Sequence, residues 1–300
     1  MGENNINIGG QAVIGGVMMR GATSMAVAVR SVKGHIVVQD LPWKSFIKAK
    51  ASFFKIPFLR GIIVFIETVF NGLCALRYSV THDLKENTPL LQSEKSRNYT
   101  FAGSFIVATF FVTLGFIYVP HILSEFLIPS TTSVSFHVLD GVIKISLFVF
   151  YLFMISKLSD IQTLFQYHGA EHKSIYAYEA QEELTVANAR KYSTLHPRCG
   201  TSFVVFILIV SLIVFALVLP PLVLFLHIPL HSQVSFVILK LLLMFPIAGI
   251  SYELIKKSQG TKSVLFSLFC KPGLFLQKLT TQEPTDEQLE VALAALKRVI

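Results

Sequence analysis

Charge is scarce in this sequence. Only 15% of its 300 residues are Asp, Glu, Lys or Arg, where a soluble domain carries about a quarter. Tryptophan occurs once and cysteine three times, at Cys74, Cys199 and Cys270; an odd number at wide spacing suggests no disulfide framework. No GxGxxG leads into a helix, so a nucleotide-binding loop is not indicated. The polar start MGENNINIGG lacks the basic and apolar regions of a cleavable signal, and Ile6 stands where myristoylation at Gly2 wants Ser or Thr. What is plentiful is apolar: 53% of residues are hydrophobic, 26 are Phe, and the mean hydropathy is +0.61. That balance reads as an integral membrane protein. The net charge of +8 then reports loops facing anionic lipid rather than nucleic acid.

Taken in order, residues 8–39 are glycine-rich and hold two alternating apolar runs, MAVAVRSV and GHIVVQ. They predict strands joined at Lys33-Gly34, and hence a small β unit over 1–43. Arg20, at the end of GGVMMR, is a candidate anion contact or a solvated strand end. From Trp43 to Lys55 the chain is basic and amphipathic. Residues 58–80 are apolar but contain Arg60, Glu67, Asn71 and Arg77, so they predict a helix in the interface or packed on the bundle rather than a span. A polar linker closes this 44–98 region. Four runs predict spans, at about 101–120, 138–158, 203–226 and 233–253, within a membrane domain of 99–255. Pro220-Pro221 and Pro246 are expected to kink or shorten the last two. Of the 26 Lys and Arg, 12 precede the first span and none falls in 121–137. Five fall in 157–198, none in 227–232 and seven after 253. This alternation predicts that both termini and the 157–200 segment are cytoplasmic. Lys144 has a helical partner four residues before it in Asp140, and Lys240 is expected to snorkel outward. The tail, 256–300, predicts two amphipathic helices, the second acidic first and basic last.

Chemistry concentrates in the polar segment from Tyr167 to Cys199, which opens YHGAEHKSIYAYE and closes HPRC. The second span is expected to continue as a helix through Tyr167, placing His168, Glu171 and His172 on one face. Two His four apart suit one zinc ion, and H-x-x-E-H is the inverzincin order, with the Glu as proton handler. His196 or Cys199 would complete the ligand set. Three ligands with an open position would be catalytic in style, and four would be structural. Competing readings are a hydrogen-bonded structural network, and Cys199 as a nucleophile with His196 as base. The remaining histidines, His35, His82, His121, His137, His227 and His231, are expected at the surface or interface. Asp160 is expected to cap a helix or pair with Lys157.

Four stretches in order, GGQAVIGGVMMRG, YHGAEHKSIYAYE, HPRCGTSF and LTTQEPTDEQLEVALAALK, resemble the YqhQ family of bacterial membrane proteins. The resemblance covers nearly the whole chain. It implies a bacterial, membrane-integral protein of a family described as predicted metal-dependent enzymes. Where the family pattern has Pro after MMRG, this chain has Ala22, a change in a turn away from the His, Glu and Cys positions. The expectation is therefore a mostly α, polytopic membrane protein with about four transmembrane helices, amphipathic interfacial helices and a small N-terminal β unit. It would sit in the bacterial inner (cytoplasmic) membrane among membrane lipids. A divalent metal, zinc first, would be held by His168, His172 and His196 or Cys199, with Glu171 as general base in a hydrolysis. The alternative is a non-enzymatic scaffold or lipid-handling protein whose metal only staples 157–200.

Overall fold

The computed structural model describes residues 8–43, 45, 56–88, 93–131, 133–227, 233–259 and 264–300. The basic stretch predicted over 43–55 lies mostly outside the described residues, as does His231. The N-terminal unit is a four-stranded antiparallel meander of β1 (Gly9–Val13), β2 (Gly16–Arg20), β3 (Met25–Arg30) and β4 (Ile36–Leu41). The turn at Lys33-Gly34 is where the sequence placed it, and the glycine-rich run before it supplies two further strands. Alternation sorts the side chains. Val17, Met19, Ala26 and Ala28 enter one core, while Val13, Met18, Met25, Val27 and Val29 enter another. Both faces are apolar because helices cover both.

The first face packs on α5 (Ser159–Glu179) and α11 (Asp286–Val299). Helix α11 starts in a capping box between Thr285 and Gln288, with Asp286 and Glu287 in its first turn and Lys297 and Arg298 in its last. This charge order favours the helix dipole, as expected from the sequence. Its Leu289, Leu293 and Leu296 are buried, worth about 1.5–3 kcal/mol apiece by apolar transfer. The second face packs on α1 (Leu59–Asn87) through Ala75 and Tyr78. There Glu86 accepts hydrogen bonds from Ser31 Oγ (2.7 Å) and Val32 N (2.9 Å).

The bundle contains α2 (Glu94–Thr113), which passes through a π-helical turn (Leu114–Tyr118) into α3 (Val119–Leu127). It continues with α4 (Val134–Ile155), α7 (Gly200–Leu217), α8 (Leu219–Phe225) and α9 (Gln233–Gln259). The short α6 (Val186–Arg190) follows α5, and α10 (Val264–Thr280) packs across the base of α7 and α4 through Leu276, Val205 and Leu152. Among the described residues, five helical segments are long and apolar enough to cross a membrane, the fifth being α1. The sheet, α5 and α11 share one core, and three of the candidates, α1, α2–α3 and α4, separate the sheet from α5 along the chain. Helix α1 is clamped at its start to the end of α9 by Arg60–Glu253 hydrogen bonds of 2.6 and 2.7 Å, while its second half lies on the sheet. These contacts agree with the expectation that 58–80 packs on the bundle.

Three expectations need correction. The helix through Tyr167 is broken at Ser156–Leu158, where Ser156 Oγ bonds back to Phe153 O and Leu158 is extended, so the H-x-x-E-H motif rides the separate α5. Helix α9 does not end at Pro246 but runs on through it, because packing in the bundle holds what one missing amide bond would release. Lys240 does not snorkel. It is buried at 2% exposure and bonded to Asp140, in a cluster with His121 and His137, which are likewise buried rather than interfacial. The break expected at Pro220-Pro221 is present between α7 and α8.

Candidate metal centre

Helix α5 enters the core shared with the sheet and α11 so deeply that Tyr167, Ala170, Glu171, His172 and Ile175 are all buried. Gly169 makes this possible one residue after His168. A Cβ there would stand 2.1 Å from the Gln282 carbonyl oxygen, so only glycine admits the chain linking α10 to α11. That linker is held by a Gln282 N–H bond to Phe165 O (3.0 Å), and it brings the Thr280 carbonyl to His168 Nδ1 at 2.8 Å. On the next turn, His172 Nδ1 bonds to the Thr194 carbonyl. Carbonyls only accept, so both imidazoles donate from Nδ1 and leave Nε2 for another partner.

The HPRC turn supplies the third group. Gln277 of α10 clamps the backbone of His196 from both sides, accepting from its N–H (2.8 Å) and donating to its carbonyl (2.9 Å). Cys199 closes the turn with an N–H bond to His196 O and caps the start of α7. Its Sγ lies 3.2 Å from His168 Nε2 and accepts from Thr201 Oγ1 (3.3 Å) and Thr201 N (3.5 Å). One ligand atom each from His168, His172 and Cys199 lies within 4.8 Å of the others. His172 Nε2 is buried and has no hydrogen-bond partner among the described residues. A buried ring nitrogen left unpaired, on a residue grouped with a thiol and a second imidazole, is what a divalent ion would satisfy. Two imidazole nitrogens and a thiolate form a donor set suited to zinc, and the carbonyls behind both rings are the orienting partners such ligands have. The residues fit the metal that the sequence pattern implied.

The other two predicted residues are not in this group, although the His196 ring lies 5.6 Å from that of His172, centroid to centroid. His196 packs against the Tyr176 ring, centroids 4.4 Å apart and planes tilted by 56°, and its Nδ1 accepts from the Arg198 N–H at 3.3 Å. Its Nε2 faces Glu179 Oε1 at 3.4 Å, and Glu179 also pairs with Arg198. Burial, then His172, lowers its pKa to about 4, so the ring is neutral and its lone pair is used. Glu171 does not join the ligand group among the described residues. Its side chain lies under Gly10 of β1, where a Cβ would come within 2.7 Å of Glu171 Cγ. Burial pushes its pKa up to about 7, against the opposing pull of His168 and the Gly10 amide. Arg20 stacks over Trp43 at 4.7 Å. Beside Cys199 a cavity of about 190 Å³ opens between α1, α7 and α9, lined in part by Thr68, Arg198, Phe203 and Tyr252.

A profile of the family described as protein of unknown function (DUF1385) matches residues 56–300. The chain belongs to this family. It is also similar to the uncharacterized protein YqhQ of Bacillus subtilis (strain 168), 35% identical over 305 residues that cover 97% of this chain and 92% of the relative. No solved structure matches it. The groups that orient the ligands, the Thr194 and Thr280 carbonyls, Gln277 and Thr201, were not foreseen. Backbone carbonyls carry no residue signature, but Gly169 inside YHGAEH marked a close approach.

Proposed function

We propose that the protein is a metal-dependent enzyme of the bacterial cytoplasmic membrane, hydrolytic in chemistry, whose His168, His172 and Cys199 hold a zinc-like divalent ion. The observation that carries this reading is the grouping of His168, His172 and Cys199, one ligand atom of each within 4.8 Å of the others, with His172 Nε2 buried and unpaired among the described residues. Three protein ligands with a fourth position left over is the style of a catalytic centre. The ion would supply Lewis-acid polarisation of a carbonyl or phosphoryl group.

The residues of the chain do the rest. Thr280 and Thr194 fix the two imidazole orientations, and Thr201 tempers the charge of the Cys199 sulfur. Glu171, with a pKa near 7, is suited to take and return a proton at neutral pH. The cavity beside Cys199, lined in part by Arg198, gives a substrate a place to lie. The alternation of Lys and Arg along the chain supports a site facing the cytoplasm.

The second reading, a metal staple in a scaffold, is favoured by one feature. The same residues already join α5, the HPRC turn and the α10–α11 linker. Metal analysis of detergent-purified protein together with complementation of a deletion strain separates the two. His172→Ala should lose the metal in either case. Glu171→Gln should keep metal and abundance but lose complementation if the site is catalytic; normal complementation by Glu171→Gln contradicts the enzyme reading.

A further inference from the structure

A second polar cluster lies inside the bundle, remote in sequence from the metal ligands. Lys144 stands midway along α4, ten residues from Val134 and eleven from Ile155, so roughly 15 Å of helix separates it from either end. Asp140, Lys240 and His137 are essentially inaccessible beside it. Both ammonium groups use the same carboxylate oxygen: Asp140 Oδ2 accepts from Lys240 Nζ at 3.0 Å and from Lys144 Nζ at 3.4 Å. Lys240 Nζ also donates to His121 Nδ1 at 3.3 Å. Asp140 Oδ1 has no partner among the described residues. The two lysines therefore share one carboxylate, and the trio carries a formal charge of +1 at a depth where an uncompensated charge costs several kcal/mol.

The lysines line a cavity. About 410 Å³ opens against Lys144 and Lys240, walled mainly by apolar side chains such as Phe116, Phe148, Ile207 and Met244. That volume is in the range of small-molecule sites. Both ammonium groups sit over the Phe215 ring, Lys144 Nζ 5.0 Å and Lys240 Nζ 5.7 Å from its centroid. Val112, Tyr151 and Leu241, which also line it, are 53%, 45% and 43% exposed, so the cavity opens on the flank of the bundle rather than at a polar end. A second space of about 480 Å³ adjoins it, sharing Val112, Phe116 and Tyr151 and lined almost entirely by apolar groups. The π-helical turn (Leu114–Tyr118) runs along both. Such turns are inserted irregularities that recur at functional sites. Gly115, in that turn, has nothing within 4 Å of where its Cβ would be.

We infer that this is a binding site for an anionic membrane lipid, with the headgroup drawn to Lys144 and Lys240 and an acyl chain lying along the π turn past Gly115. Charge selects the head: a phosphate or carboxylate neutralises the excess cation and makes charge-assisted hydrogen bonds in a dry site. Shape selects the tail, since the cavity continues into the adjoining apolar space on the flank of the bundle. A small soluble anion would satisfy the lysines but leave that space unused.

The test is native mass spectrometry of the detergent-purified full chain, offered phosphatidylglycerol or phosphatidylcholine with identical acyl chains, with glycerol phosphate as a head-only competitor. The wild type should retain phosphatidylglycerol over phosphatidylcholine by about tenfold or more, the size of one charged hydrogen bond. Lys144→Met leaves a balanced Lys240–Asp140 pair, so it should fold as well as wild type and keep its metal, while the preference falls to within about twofold. Gly115→Leu fills open space without altering charge and should lower retention of both lipids together. Glycerol phosphate should compete poorly. Equal retention of the two lipids by wild type, an undiminished preference in Lys144→Met, or unchanged retention in Gly115→Leu would overturn the inference. Effective competition by glycerol phosphate would overturn the lipid and leave a small-anion site.

Discussion

Replacing Gly169 by Ala adds one methyl group two side chains from the metal ligands' own chemistry, and its consequence can be worked out. The new Cβ would stand 2.1 Å from Gln282 O, where ordinary contact begins at 3.4 Å. The clash is with backbone, so the α10–α11 linker must move by roughly 1.3 Å, the difference between those distances. That displacement breaks or stretches two bonds, Gln282 N–H to Phe165 O and His168 Nδ1–H to Thr280 O. Each is worth about 1 kcal/mol net, while Ala in a helix returns about 0.5–1 kcal/mol relative to Gly. Global stability should therefore fall by only about 1 kcal/mol. Metal affinity should suffer more, because His168 loses the carbonyl that fixes its ring; losing such a partner costs about 10–100-fold. Metal competition titration on purified protein measures the affinity, and thermal unfolding in detergent measures the stability. The control is Gly103→Ala on α2, where a Cβ meets nothing within 4 Å. If Gly169→Ala binds metal as tightly as wild type, the carbonyl does not orient His168 and the reasoning fails.

Other expectations follow from the same geometry. His196→Asn should keep the metal, because the His196 lone pair is held by the Arg198 amide, whereas His172→Ala should lose it; equal loss in both, read by elemental analysis, would make His196 a ligand. Glu171→Gln should retain metal but reduce turnover by about 10²–10⁴-fold, read first as failed complementation at normal protein level. Leu296→Ala, in the core between α11 and the sheet, should cost about 2–5 kcal/mol in chemical denaturation, while the exposed Ile300 should tolerate Ala. Reporters fused at the N-terminus, at residue 185 and at the C-terminus should all report one side, since the elements nearest them share one core; a split result contradicts four crossings.

Much of this was legible in the residues, and the rest fails for definite reasons. The helical cap at Thr285, the hairpin at Lys33-Gly34 and the break at Pro220-Pro221 are local features, written in side chains that act on their own backbone. His168, His172 and Cys199 were visible because their residue types are rare and close in sequence. The choice between His196 and Cys199 was not, since it depends on Gln277 clamping one turn and Glu179 facing one ring. Glu171 shares the helical face of its neighbouring histidines, but the packing of β1 against it at Gly10 is a contact 161 positions away that helical spacing cannot register. Lys240 was misread for a similar reason. Snorkelling assumes that lipid surrounds a lysine, whereas Asp140, on another helix, takes it inward.

X-ray absorption spectroscopy at the zinc edge, on protein purified without a histidine tag, addresses the central claim most directly. Coordination by His168, His172 and Cys199 predicts one sulfur at about 2.3 Å and imidazole nitrogens at about 2.0–2.1 Å, with room for one further light atom. The sulfur contribution should vanish in Cys199→Ser. Zinc without a sulfur ligand, or protein that takes up no zinc at all, would contradict the account.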